Sequence, residues 1–62
     1  MGVNKMSYEA AFRLVKIYVT GNSSYVRKRL QNVNKTTILE FARILTDQGL
    51  DGIRLTLRLL KK

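Results

Sequence analysis

Apolar residues recur at helical spacing over most of the chain, and they predict three helices before a last segment of mixed character. The first helix is expected over about residues 7–20, with Ser7 as its N-cap and Gly21 at its end. Its polar residues fall on one narrow arc of the helix: Glu9, Arg13, Lys16 and Thr20. The remaining surface is apolar, which is typical of a central helix that is covered on more than one side.

Two shorter helices are expected next, over about residues 24–32 and 36–48, joined by a tight turn at Val33. Val26 and Leu30 stand four residues apart and therefore share one face of the second helix. The inward stripe of the third helix is expected to consist of Ile38, Phe41, Ala42 and Leu45. Two short helices joined in this way form a helix-turn-helix unit, which suits insertion into a groove of DNA.

The last segment, residues 53–60, is compatible with two structures. As a strand, its apolar residues alternate with Arg54, Thr56 and Arg58. As a helix, it gathers Arg54, Arg58 and Lys61 on one side, and Asp51 is placed to cap it. A strand also needs a partner, and the chain contains no second strong strand pattern.

These elements predict a mainly α fold in a single domain over residues 1–62. A three-helix helix-turn-helix core is followed by either a C-terminal amphipathic helix or a single wing-like strand. Residues 1–6 carry no pattern and are expected to form a flexible tail. A domain this small buries only about 60% of the surface of its unfolded chain. Because 45% of the residues are hydrophobic, some are expected to be buried in a homodimer.

The charge of the chain points to a polyanionic partner. Twelve Lys and Arg residues against four Asp and Glu residues give a formal net charge of +8. This excess favours nucleic acid, with double-stranded DNA as the expected partner, over acidic proteins or anionic lipid.

Several function classes are disfavoured by the composition. The chain has no cysteine and no histidine, so we expect no disulfide, no metal site and no cofactor. No pair of acids is placed for catalysis and no glycine-rich phosphate loop is present, so we do not expect an enzyme. Without an apolar span or a secretory signal, we expect no membrane insertion and a cytoplasmic, nucleoid-associated location.

The order of features resembles a winged helix-turn-helix DNA-binding domain over about residues 7–59. The Gly49-Leu50 pair follows LEFARIL at the distance where a wing begins in that family, and IRLTLRL stands where its strand would be. Val33 and Ile38 are five residues apart, which is the spacing in that family between the apolar residue of the turn and the recognition helix. The resemblance implies that the third helix enters a DNA groove.

Carried over by position, the residues expected to bind nucleic acid divide into three groups. Those expected to face the groove near the start of the third helix are Asn34, Lys35, Thr36 and Thr37, and the last three are expected to hold phosphate together with the helix N-terminus. Arg43 is expected to read guanine, and Glu40 to accept from cytosine. Those expected to clamp the flanking backbone are Arg27, Lys28 and Arg29. An alternative stays open, in which Thr36 or Thr37 merely caps the helix and Glu40 pairs with Arg43 on a solvated surface.

The favoured hypothesis is a small basic DNA-binding protein, either a dimeric transcriptional regulator or a control protein of plasmid or virus type. The alternative is a protein-interaction accessory subunit of a replication or transcription assembly, with a larger protein partner. A third hypothesis is attachment to a membrane surface through residues 52–62, which are basic and amphipathic as a helix.

Overall fold

Four helices follow one another along the part of the chain that is described. The computed structural model describes the backbone of residues 2–61 and the side chains of residues 6–61. The helices are α1 (Gly2–Val19), α2 (Ser23–Leu30), α3 (Lys35–Asp47) and α4 (Gly52–Leu60). The prediction of a mainly α protein is confirmed, and the second and third helices lie within two residues of their expected positions at each end.

The first helix begins earlier than the pattern of apolar residues indicates. The backbone is helical from Gly2, so Ser7 lies inside α1 and the expectation that it caps the helix is wrong. Ser7 is instead buried, with 4% of its surface exposed. The flexibility predicted for residues 1–6 stays a prediction, since Met1 and the side chains up to residue 5 lie outside the described part of the chain.

Glycines in the left-handed conformation end both long helices. Gly21 has φ 104° after α1, and Gly49 has φ 88° after α3. In each case the following amide donates back to a carbonyl of the helix, from Asn22 to Ile17 at 3.2 Å and from Leu50 to Leu45 at 3.0 Å. This pairing satisfies carbonyls that the helix end leaves without a partner and turns the chain sharply.

Asparagine side chains, rather than threonines, cap the two middle helices. Asn22 Oδ1 accepts from the amide of Tyr25 at 3.3 Å, and Asn34 Oδ1 accepts from the amide of Thr37 at 2.9 Å. The prediction that Thr36 or Thr37 caps α3 is therefore wrong. Asn34 precedes both and has the extended backbone that a cap residue needs, so α3 begins at Lys35.

The last segment is a helix, so the wing-like strand is wrong for this chain. Asp51 Oδ1 accepts from the amide of Arg54 at 3.3 Å, which caps α4 as expected for the helical alternative. Gly52, Thr56 and Leu59 are its buried residues, at a spacing that only a helix places on one face. No strand occurs among residues 2–61, so a strand here would have had no partner.

The core lies between α1, α3 and the inner faces of α2 and α4. Its fully buried large side chains are Phe41, Leu30, Leu45, Val15 and Val26. Tyr18 packs against its edge, with its ring centroid 6.1 Å from that of Phe41 at an interplanar angle of 84°. The expected inward stripe of α3 is confirmed for Phe41, Ala42 and Leu45, whereas Ile38 is half-buried.

Helix packing differs from that of a helix-turn-helix pair. α3 packs mainly on α1 and α4, while α2 packs on α1 and α4 and has at most a marginal contact with α3. α4 packs on α3 in the place where a helix-turn-helix protein would have α2. Gly52 is buried at the point where α4 crosses α3. A Cβ built at Gly52 overlaps the carbonyl oxygen of Ala42 and lies 2.5 Å from Oγ1 of Thr46. The absence of a side chain at Gly52 therefore permits this close approach.

Candidate nucleic-acid interface

The three cations of α2 spread around its exposed side. Val26 and Leu30 point into the core, and Arg27, Lys28 and Arg29 are exposed. Successive residues of a helix are separated by about 100°, so Lys28 points directly away from the core. Arg27 and Arg29 lie on opposite flanks of the helix for the same reason. α2 contains no acidic residue, so these charges are not neutralised within it.

Arg27 joins α2 to the end of α4. Its Nη1 donates to the carbonyl oxygens of Lys61 at 2.7 Å, Leu59 at 3.3 Å and Arg58 at 3.4 Å. Carbonyls at a helix C-terminus lack intrahelical partners and carry partial negative charge, which a guanidinium offsets well. Sequence reasoning assigned Arg27 to a DNA clamp and missed this structural role. Its acceptors lie more than thirty residues further along the chain, where no local pattern points to them.

This anchor creates a basic surface that the sequence alone did not indicate. Because the backbones of Arg58 and Lys61 lie at the guanidinium of Arg27, their exposed side chains start from the same part of the surface. We call the four exposed cations around this anchor the α2–α4 cationic face: Arg27 and its chain neighbour Lys28 on α2, and Arg58 and Lys61 at the end of α4. Arg29 lies outside it, on the far flank of α2.

Arg54 lies one turn before Arg58 on the exposed side of α4. Its Nε is 3.4 Å from Oδ2 of Asp51, and both side chains are largely exposed. A solvated pair of this kind contributes at most about 1 kcal/mol, so it restrains Arg54 only weakly.

Two of the residues expected to face DNA at the start of α3, Asn34 and Thr37, are hydrogen-bonded to each other. Thr37 is 4% exposed, and its Oγ1 donates to Oδ1 of Asn34 at 2.9 Å. The same Asn34 oxygen accepts the amide of Thr37. The hydroxyl of Thr37 and the side-chain oxygen of Asn34 are thus engaged with each other at the N-terminus of α3. Lys35 is exposed, and Thr36 is half-buried.

The outer face of α3 carries balanced charge. Its cations Lys35 and Arg43 are exposed, and they share the face with Glu40 and Asp47. A phosphate approaching this face meets as many acids as bases. The attraction for a polyanion is therefore centred on α2 and α4 and not on the helix that the sequence singled out.

Aromatic side chains also reach the surface. Tyr8 is 49% exposed and stacks on Phe12, with ring centroids 6.2 Å apart. Lys16 Nζ lies 5.5 Å from the centre of the Phe12 ring. Tyr25 is 44% exposed, on the flank of α2 that also carries Arg29.

No helix among the described residues is both long and apolar enough to cross a bilayer. Nor do residues 6–61 bring together three side chains that would ligate a metal ion. Comparison with known proteins finds no family model, curated protein or solved structure that matches the chain.

Proposed function

We propose that this chain is a small basic DNA-binding protein that contacts the phosphate backbone through the α2–α4 cationic face. The observation that carries the proposal is the anchoring of Arg27 to the end of α4, which gathers cations of two helices at one surface. Phosphate contacts made by Lys and Arg supply most of the sequence-independent affinity for DNA.

Arg27 can serve both the fold and the ligand. A guanidinium has five N–H donors, and the described contacts to α4 use those of Nη1. Nε and Nη2 are left to donate to a phosphate oxygen in the planar arrangement that favours bidentate binding. Lys28 contributes a flexible point charge beside it.

This mode of binding differs from that of a helix-turn-helix protein. There, α3 would enter the major groove and Arg43 and Glu40 would meet base edges. The balanced charge of α3 and its packing against α4 instead favour contact through α2 and α4, with little base readout. We therefore expect binding that depends strongly on salt and weakly on DNA sequence.

The test is a fluorescence anisotropy titration of a labelled duplex at several salt concentrations. Four phosphate contacts predict a slope of log K against log salt of about −3.6, since each contributes about −0.9. Undetectable binding at about 50 mM salt would refute the proposal.

Three double variants with equal loss of charge locate the surface. Lys28→Gln with Arg58→Gln changes the cationic face, Lys35→Gln with Arg43→Gln changes α3, and Arg13→Gln with Lys16→Gln changes α1. We expect the first to weaken binding at least about tenfold and to reduce the salt slope by about 2, and the α1 variant to have a much smaller effect. A larger loss from the α3 variant would favour the helix-turn-helix mode, and equal losses from all three would show that net charge alone matters.

A further inference from the structure

Three large apolar side chains of α3 and α4 are exposed around two adjoining grooves. Leu39, Ile53 and Leu57 are 63%, 68% and 61% exposed. Ile53 lines a shallow groove with Leu39, Glu40 and Arg43 of α3. It also lines a second groove along α4 with Leu57, Arg54 and Arg58. We call Leu39, Ile53 and Leu57 the α3–α4 apolar patch. Apolar side chains that cluster at a surface, with polar residues around them, mark an interaction site more often than single exposed residues do.

The charges on the α3 side of the patch identify the class of partner. Three of the four acidic residues of the chain lie on α3 or at the start of α4: Glu40, Asp47 and Asp51. α2, by contrast, carries three cations and no acid. The outer face of α3 is thus a place where a second molecule of charge +8 approaches without strong repulsion.

The order of charges along α3 is also self-complementary. Lys35 lies at the N-terminal end and Asp47 at the C-terminal end, with Glu40 and Arg43 between them. Glu40 and Arg43 lie on the same flank of this outer face, so if two α3 helices lie antiparallel about a two-fold axis between these residues, Glu40 of each copy faces Arg43 of the other. A two-fold interface needs this property, because the same surface is used by both subunits.

We infer that the chain forms a homodimer through the outer face of α3 and the α3–α4 apolar patch. Leu39, Ile53 and Leu57 of the two copies supply the apolar area, and the antiparallel charge pairs set the orientation. This interface leaves the cations of α2 accessible in both copies, because α2 hardly contacts α3. On α4 it borders Arg58 and Lys61, which line a groove with Ile53 and Leu57. The inference stands on the patch and its charges and is independent of the proposed DNA binding.

The experiment is sedimentation equilibrium of the full chain without DNA, at protein concentrations up to about 1 mM. We expect the mass to rise from 7.1 kDa for the monomer to twice that value. The patch variant Leu39→Gln with Ile53→Gln should raise the dimer dissociation constant at least about tenfold, because Gln keeps helix propensity and removes apolar contact. The matched control is Met6→Gln with Val19→Gln, exposed apolar residues of α1, which should leave the constant within about twofold.

A charge swap tests the two-fold arrangement itself. Arg43→Glu places like charges opposite each other and should weaken the dimer about tenfold, and adding Glu40→Arg should restore it. Circular dichroism verifies that each variant keeps its helices.

Three outcomes would overturn the inference. They are a monomer at every concentration, a dimer that responds to the α1 variant and not to the patch variant, and a charge swap without rescue. A chain that stays monomeric yet sediments with anionic vesicles through Ile53 and Leu57 would assign the patch to a membrane surface instead.

Discussion

The crossing of α4 over α3 depends on Gly52, and replacing it with alanine tests the packing directly. The added Cβ would overlap the carbonyl oxygen of Ala42 and lie 2.5 Å from Oγ1 of Thr46. The carbonyl belongs to the helical backbone of α3 and cannot rotate away, so α4 must move as a unit.

The magnitude follows from two opposing effects. Overpacking of this kind costs about 1–3 kcal/mol, and the rigid backbone neighbour places Gly52→Ala at the upper end. Replacing glycine with alanine usually gains about 1 kcal/mol in helix propensity. The gain is smaller here because Gly52 is the first residue of α4, so it offsets only part of the cost of overpacking. We expect a net loss of about 2 kcal/mol, a large share of the roughly 3–9 kcal/mol that a chain of this length has.

Thermal and urea unfolding followed by circular dichroism measure this loss. For a domain of this size, about 2 kcal/mol corresponds to a fall in Tm of roughly 8–16 °C. Gly49→Ala is the control: it has φ 88° but no described atom within 4 Å of a built Cβ. It should lose about 1 kcal/mol through backbone strain alone, with α4 still docked on α3. A Gly52→Ala protein as stable as the wild type would refute the packing of α4 on α3.

Three further substitutions test single contacts by urea unfolding. Arg27→Ala should lower the free energy of unfolding by about 1–2 kcal/mol, because it leaves the α4 carbonyls uncapped. The control Lys28→Ala should change it by less than about 0.5 kcal/mol. Equal effects of the two variants would mean that the anchor contributes nothing. Thr56→Val should stabilise the protein by about 1 kcal/mol, because the buried hydroxyl has no hydrogen-bond partner among the described residues, and a loss would reveal a missed partner. Asn34→Ala should cost about 1 kcal/mol by removing the cap of α3, and an unchanged stability would contradict that role.

Helix positions were predictable because apolar periodicity records which face each helix buries. Phe41 and Leu45, for example, lie four residues apart on the buried side of α3. Caps were harder to predict, since Asn34, Thr36 and Thr37 all have suitable side chains. The backbone conformation that selects Asn34 depends on how the turn before α3 packs.

The nature of the last segment could not be decided locally. IRLTLRL satisfies the period of a strand and that of a helix equally well. Contact with α3 decides it, because Gly52 fits against Ala42 only when the segment is helical and crosses at that point. The pairing of α2 with α3 was expected from chain order, and the docking of α4 replaces it.

The candidate site was predictable in its residue types and not in its arrangement. The basic cluster of α2 stands out in the sequence, but the side on which each cation lies depends on the burial of Val26 and Leu30. Arg27 acquires its structural role only through carbonyls of a distant helix. The sequence shows that α3 carries two cations and two acids: Lys35, Glu40, Arg43 and Asp47. Only the structure shows that these residues share one outer face, where their charges balance.

Mapping the amide chemical shifts of the full chain during titration with duplex DNA tests the central claim most directly. Binding through the α2–α4 cationic face predicts the largest changes at Arg27, Lys28, Arg58 and Lys61, and their loss as salt is raised above about 50 mM. Changes centred on residues 35–43 of α3, or none at low salt, would contradict this account.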